Sequence, residues 1–356
     1  MSSPSAAAGR LLAWFDGHRR ELPWRHSMDQ YRVWISEIML QQTQVDRVVA
    51  YFERFIERFP TVDDLAAASV DEVLASWSGL GYYRRARQLH AAARQIVADG
   101  AFPSEIAGWR KLPGVGPYTA AAVVSIAFGT KVPAIDGNVE RVLSRFEAIG
   151  EDVKRAKGRR YLQAAAERLL DERRPGDSNQ AIMELGATVC RPQKPRCTLC
   201  PLSFECIAHQ EDMVSLFPLT TGRRRTVSER RLGVVVESEG RTLLFRRPDG
   251  ADVLAGLWEI PWIPWVEPSA AALNLASRYG GDWSLDSRCG QVRHAITYRD
   301  IRLEVWKGRL SSQNLVAEGL PAGWFSRSEM RDLATSSLVE KTLRCAAVER
   351  DSEPGR

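Results

Sequence analysis

Long apolar runs are missing from this chain. No window of it reaches the roughly 18 apolar residues that a membrane-crossing helix needs. The first residues, MSSPSAAAGRLLAWFDGH, lack the basic stretch followed by a clean apolar run that marks a secretory signal, so a cytoplasmic setting is expected. Internal repeats and low-complexity tracts are absent as well. With 44% hydrophobic and 26% charged residues, the composition is that of a core-forming chain, not a disordered or fibrous one. No charge of one sign dominates: the net charge of +5 permits a nucleic-acid partner without arguing for one. Cysteine is scarce, six in 356 residues, yet four of the six fall within CRPQKPRCTLCPLSFEC, residues 190–206.

Two regions of different character follow one another. Residues 10–217 read as a succession of helices: apolar residues recur at Trp34, Ile35, Ile38, Met39, Val45, Val48, Val49 and Phe52, and Ala-rich amphipathic stretches cover 85–98, 118–128 and 160–170. PLTTGRRRTVSERR, residues 218–231, is polar and Arg-rich and reads as a linker. Beyond it RLGVVVES, RTLLFRR and IRLEVWKG have the β-branched content of strands, with one helical stretch near 268–279. The expected architecture is a mainly α domain, then a smaller α+β domain over 232–348, then a short tail, 349–356.

The cysteine spacing is C-x6-C-x2-C-x5-C. In a reducing compartment such a cluster points to metal rather than disulfides. Thiolates suit zinc or an iron–sulfur cluster. A structural zinc site usually presents two short C-x2-C knuckles, and here there is one, which favours iron–sulfur and leaves zinc as the alternative. Cys289 and Cys345, isolated among apolar residues, read as buried small hydrophobes. Arg191, Lys194 and Arg196 give the loop a charge that could meet phosphate or simply face solvent. LPGVGPYTA, residues 112–120, places two glycines ahead of an Ala-rich helix, where backbone can approach an anion closely. Alone, that pattern is as well explained by an interhelical turn.

Taken together, the two motifs resemble the endonuclease III superfamily of DNA base-excision glycosylases. LPWR (22–25), VWISEIMLQQTQV (33–45), WSGLGYYRRARQLH (77–90), DGNVERVL (136–143) and NQAIMELGATVC (179–190) resemble its adenine DNA glycosylase (MutY) branch. The resemblance implies a helix-hairpin-helix glycosylase domain whose Cys190, Cys197, Cys200 and Cys206 bind a [4Fe-4S] cluster. It implies duplex DNA holding A:8-oxoguanine or A:G mispairs as partner, a monomeric protein, and a bacterial, nucleoid-associated activity.

Releasing adenine from its sugar calls for a proton on the leaving base and negative charge beside the developing oxocarbenium, hence two carboxylates in different protonation states. Glu37, next to the apolar Val33, Trp34, Ile35, Ile38 and Met39, is placed for a raised pKa; Asp136 is the second carboxylate, although its position ahead of GNVERVL also suits a helix cap. By resemblance Glu37 protonates adenine and later activates water, and Asp136 stabilises or transiently bonds the sugar. Tyr118 and Asn138 help to position Asp136. Tyr118 stands where strand-cleaving relatives carry a Schiff-base lysine, which implies a monofunctional enzyme. Arg25 and Gln180 match the adenine pocket, Gln42 and Tyr82 the residues set beside the orphan base, with Thr43 on the same DNA-binding surface, and Leu112, Gly114, Val115 and Gly116 the backbone-binding hairpin.

LAGLWEIP, residues 254–261, resembles the entry to the Nudix-like domain that reads 8-oxoguanine in this family. A Nudix hydrolase would carry a magnesium-binding R-E-x-x-E-E helix next; PSAAALNLASRYG stands there instead, which implies recognition without hydrolysis. The expected lesion-reading residues are Thr297 and Tyr298, in a loop whose Ile296-Thr297-Tyr298 replaces the family's frequent Phe-Ser-His. Two other readings stay open at this point: a glycosylase for thymine or uracil opposite guanine, and a DNA-binding module with a structural metal.

Overall fold

The computed structural model describes residues 6–220, 226–296, 298–311 and 320–347. They form two compact units, the first drawn from within 1–67 and 91–222, the second from within 68–90 and 223–356.

The first unit is helical. Its helix Gln30–Leu40 starts at Asp29, whose side chain accepts from the Arg32 amide, and buries eight of the nine residues from Tyr31 to Met39, all but Arg32. Trp34 packs there against Phe102 and Trp109 at centroid distances of 6.4 and 5.9 Å. The helix Pro117–Phe128 is buried along most of its length, with Pro117 at its first position and Gly129 in a left-handed conformation at its end, the expected punctuation of a helix. Helices Gly137–Phe146, Ala156–Leu169 and Pro175–Thr188, together with Ala6–His18, share one apolar core around Leu11, Phe15, Leu143, Leu162, Ile182 and Leu185. Two glycines let that core close. A Cβ on Gly176 would meet the Ser125 carbonyl oxygen at 2.7 Å, and one on Gly186 would meet the Asn138 Cβ at 2.7 Å.

Among the described residues of the second unit seven strands build one sheet: β1 (Val227–Ser238), β2 (Arg241–Arg246), β3 (Trp258–Glu259), β4 (Trp262–Pro264), β5 (Trp283–Ile296), β6 (Arg299–Leu310) and β7 (Ala322–Ser326). The order is β3-β2-β1-β6-β5, with β4 on β1 and β7 on β2. Strands β1 and β6 run parallel and the other pairs antiparallel. Helix Ser337–Ala347 covers one face, around Val235, Ile301 and Leu343. Helix Pro268–Tyr279 covers the other, around Leu232, Val234, Leu275 and Tyr279. The fold is therefore a helical domain and an α+β domain with a mixed sheet. The stretch that composition reads as linker becomes strand from Val227 onward, because ten residue pairs from Val227–Arg299 to Val236–Gly308 align β1 with β6. Within it Arg231 is buried against the Trp262 ring, 3.8 Å from its centroid, and bonds Glu229.

Candidate active site

One cavity of about 870 Å³ opens in the first unit, lined among others by Arg25, Glu37, Tyr118, Asp136, Asn138 and Gln180. Six residues from five separate stretches of sequence thus converge. Glu37 reaches it from the buried face of helix Gln30–Leu40 and is only 6% exposed. Burial pushes its carboxyl up to about 7, the negative charge of Asp136 adds to the rise, and a hydrogen bond from Tyr118 and the charge of Arg25 oppose it. At neutral pH a large fraction of Glu37 therefore carries a proton, the state a general acid requires.

Asp136 caps the helix Gly137–Phe146. Its Oδ1 accepts from the Val139 amide at 2.8 Å and its Oδ2 from Asn138 Nδ2 at 3.0 Å. Burial raises its pKa, against the pull of those two donors and of Arg141. So the cap and the charged site are the same residue: the hydrogen bonds that start the helix also fix the carboxylate's two oxygens. Asn138 is fixed in turn, since Arg141 donates to its Oδ1 at 2.8 Å and to the carbonyls of Gly186 and Cys190, each at 2.8 Å.

Tyr118, second in the helix Pro117–Phe128, donates to Glu37 Oε2 at 2.7 Å. Burial and the nearby carboxyls hold its phenol well above the ordinary tyrosine range, so it stays a donor. The hydroxyl thus sits on Glu37, whereas the sequence reading assigns it to Asp136, which Asn138 and the Val139 amide hold instead. Arg25 donates through Nε to Gln180 Oε1 at 3.2 Å and through Nη2 to Glu184 Oε2 at 2.9 Å. Glu184, 1% exposed, also takes Arg20 at 2.6 Å. Burial alone would push the Glu184 carboxyl up, but the bond from Arg20 and the charge of Arg25 outweigh it and hold the group below its ordinary value. The ionised Glu184 aims Arg25, and Arg25 fixes which end of the Gln180 amide faces it.

The hairpin residues divide. Gly114, in a left-handed conformation with φ 77°, and Gly116, with open space where a Cβ would stand, line the cavity. Leu112 and Val115 are buried and brace the turn from behind. Gln42 and Thr43 line the cavity with Leu40 and Val45. Gln42 and, in the second unit, Tyr82 are both exposed and both held at positive φ, 57° and 52°, a conformation uncommon for residues other than glycine. Tyr298 lies in the turn joining β5 to β6, its ring 5.5 Å from the Arg299 guanidinium. Thr297 lies outside the described residues.

Cys190, Cys197, Cys200 and Cys206 line a second, small cavity with Arg145, Val189, Pro195 and His209. Arg145, buried at 3% exposure, organises the loop. It donates to Cys190 Sγ at 3.4 Å and to the carbonyls of Arg191, Pro192, Val214 and Phe217 at 2.8 to 3.2 Å. Among the described residues no group of three or more His, Cys, Asp or Glu side chains converges as a single metal ion would need. Zinc draws its thiolates to about 2.3 Å. The four cysteines line one cavity, an all-thiolate donor set consistent with an iron–sulfur loop.

Sequence reasoning misses Glu184, Arg141, Arg145 and Gly186. Only Glu184 leaves a local signal, four residues after Gln180 on the same helix. Among the described residues no helix is long and apolar enough to cross a membrane.

Comparison with known proteins bears on this geometry. Residues 35–171 match the HhH-GPD superfamily of base excision DNA repair proteins, and residues 231–345 match the NUDIX domain. The chain is 37% identical to an adenine DNA glycosylase of Rattus norvegicus, over 94% of this chain and 76% of the relative. It is 35% identical to that of Homo sapiens, over 99% and 75%. Among solved structures, a thermostable thymine-DNA glycosylase superposes with a TM-score of 0.53 at 30% identity, over 57% of this chain and 95% of that one.

Proposed function

The chain belongs to the adenine DNA glycosylase family, and from that premise we propose that it hydrolyses the N-glycosidic bond of adenine mispaired with 8-oxoguanine or guanine and leaves the strand unbroken. The single observation that carries this reading is the Glu37–Tyr118–Asp136–Asn138 constellation: a carboxyl raised to about 7 beside one whose two oxygens are each held by a donor.

The steps balance on these residues. Protonated Glu37 gives its proton to the adenine ring, the bond from the sugar to the base breaks, and its electron pair leaves with the base. Asp136 faces the cationic sugar and lowers the cost of that charge. Water then adds to the sugar while Glu37, now ionised, takes up a proton and is restored. Arg25 and Gln180 present donors and an acceptor to the adenine edge.

Reaching the base means extruding it, which costs a few kcal/mol of unstacking. Gln42 and Tyr82, exposed on strained backbone, are suited to filling the vacated space. The hairpin at Gly114 and Gly116 lets a backbone phosphate approach the start of helix Pro117–Phe128. With a tyrosine hydroxyl where a Schiff base would need an amine, the abasic sugar has no nucleophile at position 118 to drive strand cleavage. The cysteine loop would hold a [4Fe-4S] cluster through Cys190, Cys197, Cys200 and Cys206, and such a cluster when bound cross-links the loop's basic residues into one rigid surface for DNA. The second unit would read the opposite base without hydrolysing a nucleotide, since helix Pro268–Tyr279 carries no carboxylate to hold magnesium.

Single-turnover excision tests the proposal on duplexes holding A:8-oxoguanine, A:G, T:G and A:T, each with and without alkali. Adenine release from A:8-oxoguanine that appears as a nick only after alkali is the expected result. Excision at T:G in its place would assign the chain the substrate of the thymine glycosylase fold neighbour. Equal rates on A:8-oxoguanine and A:G would mean that the Ile296-Thr297-Tyr298 loop does not distinguish the lesion.

A further inference from the structure

Tyr82 belongs to the second unit, and within that unit the turn that carries it is held at two points by residues far along the chain. The turn runs from the end of helix Val70–Ser76 to the start of helix Arg84–Asp99. Gly79 and Gly81 are at φ 91° and 83°, and Tyr82, without a glycine's freedom, at 52°. A bulky residue keeps such a conformation only where its surroundings over-determine it.

The first attachment is the main-chain carbonyl of Thr335. It accepts from Ser78 Oγ at 3.0 Å and from the Tyr83 hydroxyl at 2.6 Å, and that hydroxyl in turn accepts from the Gly79 amide at 2.9 Å. Thr335 is itself fixed, because it bridges Trp258, whose amide donates to the Ala334 carbonyl at 2.9 Å. The second attachment is Arg87, which donates to the Ala255 carbonyl at 2.8 Å and to Asp249 at 3.1 Å. Gly256 makes that reach feasible: a Cβ there would stand 1.8 Å from Arg87 Nη2. The second attachment ends in the LAGLW segment, residues 254–258, and the first is tied to that segment through Trp258. Between them Arg85 stacks on the rings of Trp77 and Tyr82, 5.4 and 5.3 Å from their centroids, and donates to the Gly81 carbonyl at 3.0 Å.

We propose that Ser78, Tyr83 and Arg87 are positioning residues through which the Thr335 and Ala255 carbonyls set the conformation in which Tyr82 meets DNA. The inference rests on the reading of Tyr82 as the residue inserted beside the orphan base. Each hydrogen bond alone contributes modestly, but together they hold the one turn whose backbone must not relax.

The test is a mutant cycle in the full-length protein: Ser78→Ala with Tyr83→Phe, Arg87→Gln as an independent second lesion, Tyr82→Ala, and their combinations. Two quantities are read, the single-turnover rate of adenine release and the fluorescence of 2-aminopurine placed next to 8-oxoguanine, opposite a 2′-fluoro-deoxyadenosine that resists excision. The Ser78/Tyr83 pair and Arg87→Gln should each lower the rate about 10-fold and diminish the fluorescence gain, with duplex affinity changed less than about 3-fold, and should cost nothing further in the Tyr82→Ala background. Losses that add in full to that of Tyr82→Ala, or a fluorescence gain left intact, would overturn the proposal. Should Tyr82→Ala alone leave both readouts at the wild-type level, the insertion reading itself fails and the inference with it; a strong Tyr82→Ala effect beside silent Ser78, Tyr83 and Arg87 variants refutes the attachment alone.

Discussion

The phenol of Tyr118 donates a 2.7 Å hydrogen bond to Oε2 of Glu37, so the helix that follows the glycine hairpin and the helix that carries the acid meet at one proton. That bond favours the ionised form of Glu37 and pulls its pKa down, against the burial that drives it up. Tyr118→Phe removes only the pull. The acid should then stay protonated to higher pH, and the alkaline limb of the excision rate should move up in pH. A limb that moves down, measured over a pH series with enzyme in excess, would mean that the phenol acts on another group.

Glu37→Gln keeps the shape and removes the acid. Excision should fall by about 10²–10⁴-fold, the usual worth of a general acid, while binding to a mispaired duplex persists. Stability should move the other way. A carboxyl raised from 4.5 to about 7 favours the fold fully below the unfolded value, and that contribution is lost as pH rises through about 7. The loss amounts to about 3 kcal/mol. Thermal melts at pH 5 and pH 8 should therefore show the Gln variant gaining on the wild type as pH rises.

Gly186→Ala tests the support of Asp136. A methyl group there would stand 2.7 Å from the Asn138 Cβ, and Asn138 holds Asp136 Oδ2. Overpacking of this kind costs roughly 1–3 kcal/mol. Displacing Asn138 should also lower the excision rate at saturating enzyme more than it weakens DNA binding, which separates it from a general loss of fold.

Much of this site is legible in the sequence because its members lie in short local patterns. Glu37 sits in an apolar helix, Asp136 and Asn138 share one cap, and Tyr118 follows the glycine hairpin. The remainder depends on pairing across distance. Arg141 reaches carbonyls 45 and 49 positions on, at Gly186 and Cys190, and Arg145 reaches Phe217; nothing local to either arginine marks it. The hydroxyl of Tyr118 goes to Glu37 and not to Asp136 for the same reason, since the contact is decided by how two helices pack. Residues Val227–Arg231 read as linker from their polar content and are strand because β6 lies alongside them, an influence no local window contains.

Arg145→Ala would leave the carbonyls of Arg191, Pro192, Val214 and Phe217 without the donor that joins them. Of the four only Phe217 is buried and Pro192 is exposed, so the cost is about 1–3 kcal/mol, mainly from the buried bond to Phe217. The variant should melt earlier and retain less metal. For the wild type, iron and acid-labile sulfide assays should return roughly four of each per chain; one zinc and no sulfide would replace the cluster with an ion.

The most direct test of the account is the release of adenine from an A:8-oxoguanine duplex, followed in a single turnover from pH 5 to pH 9 for the wild type and for Glu37→Gln. The account predicts a wild-type rate that falls as pH rises through about 7, where Glu37 gives up its proton, and a Gln variant with almost no release at any pH. A Glu37→Gln enzyme that still releases adenine, with the same pH profile as the wild type, would contradict it.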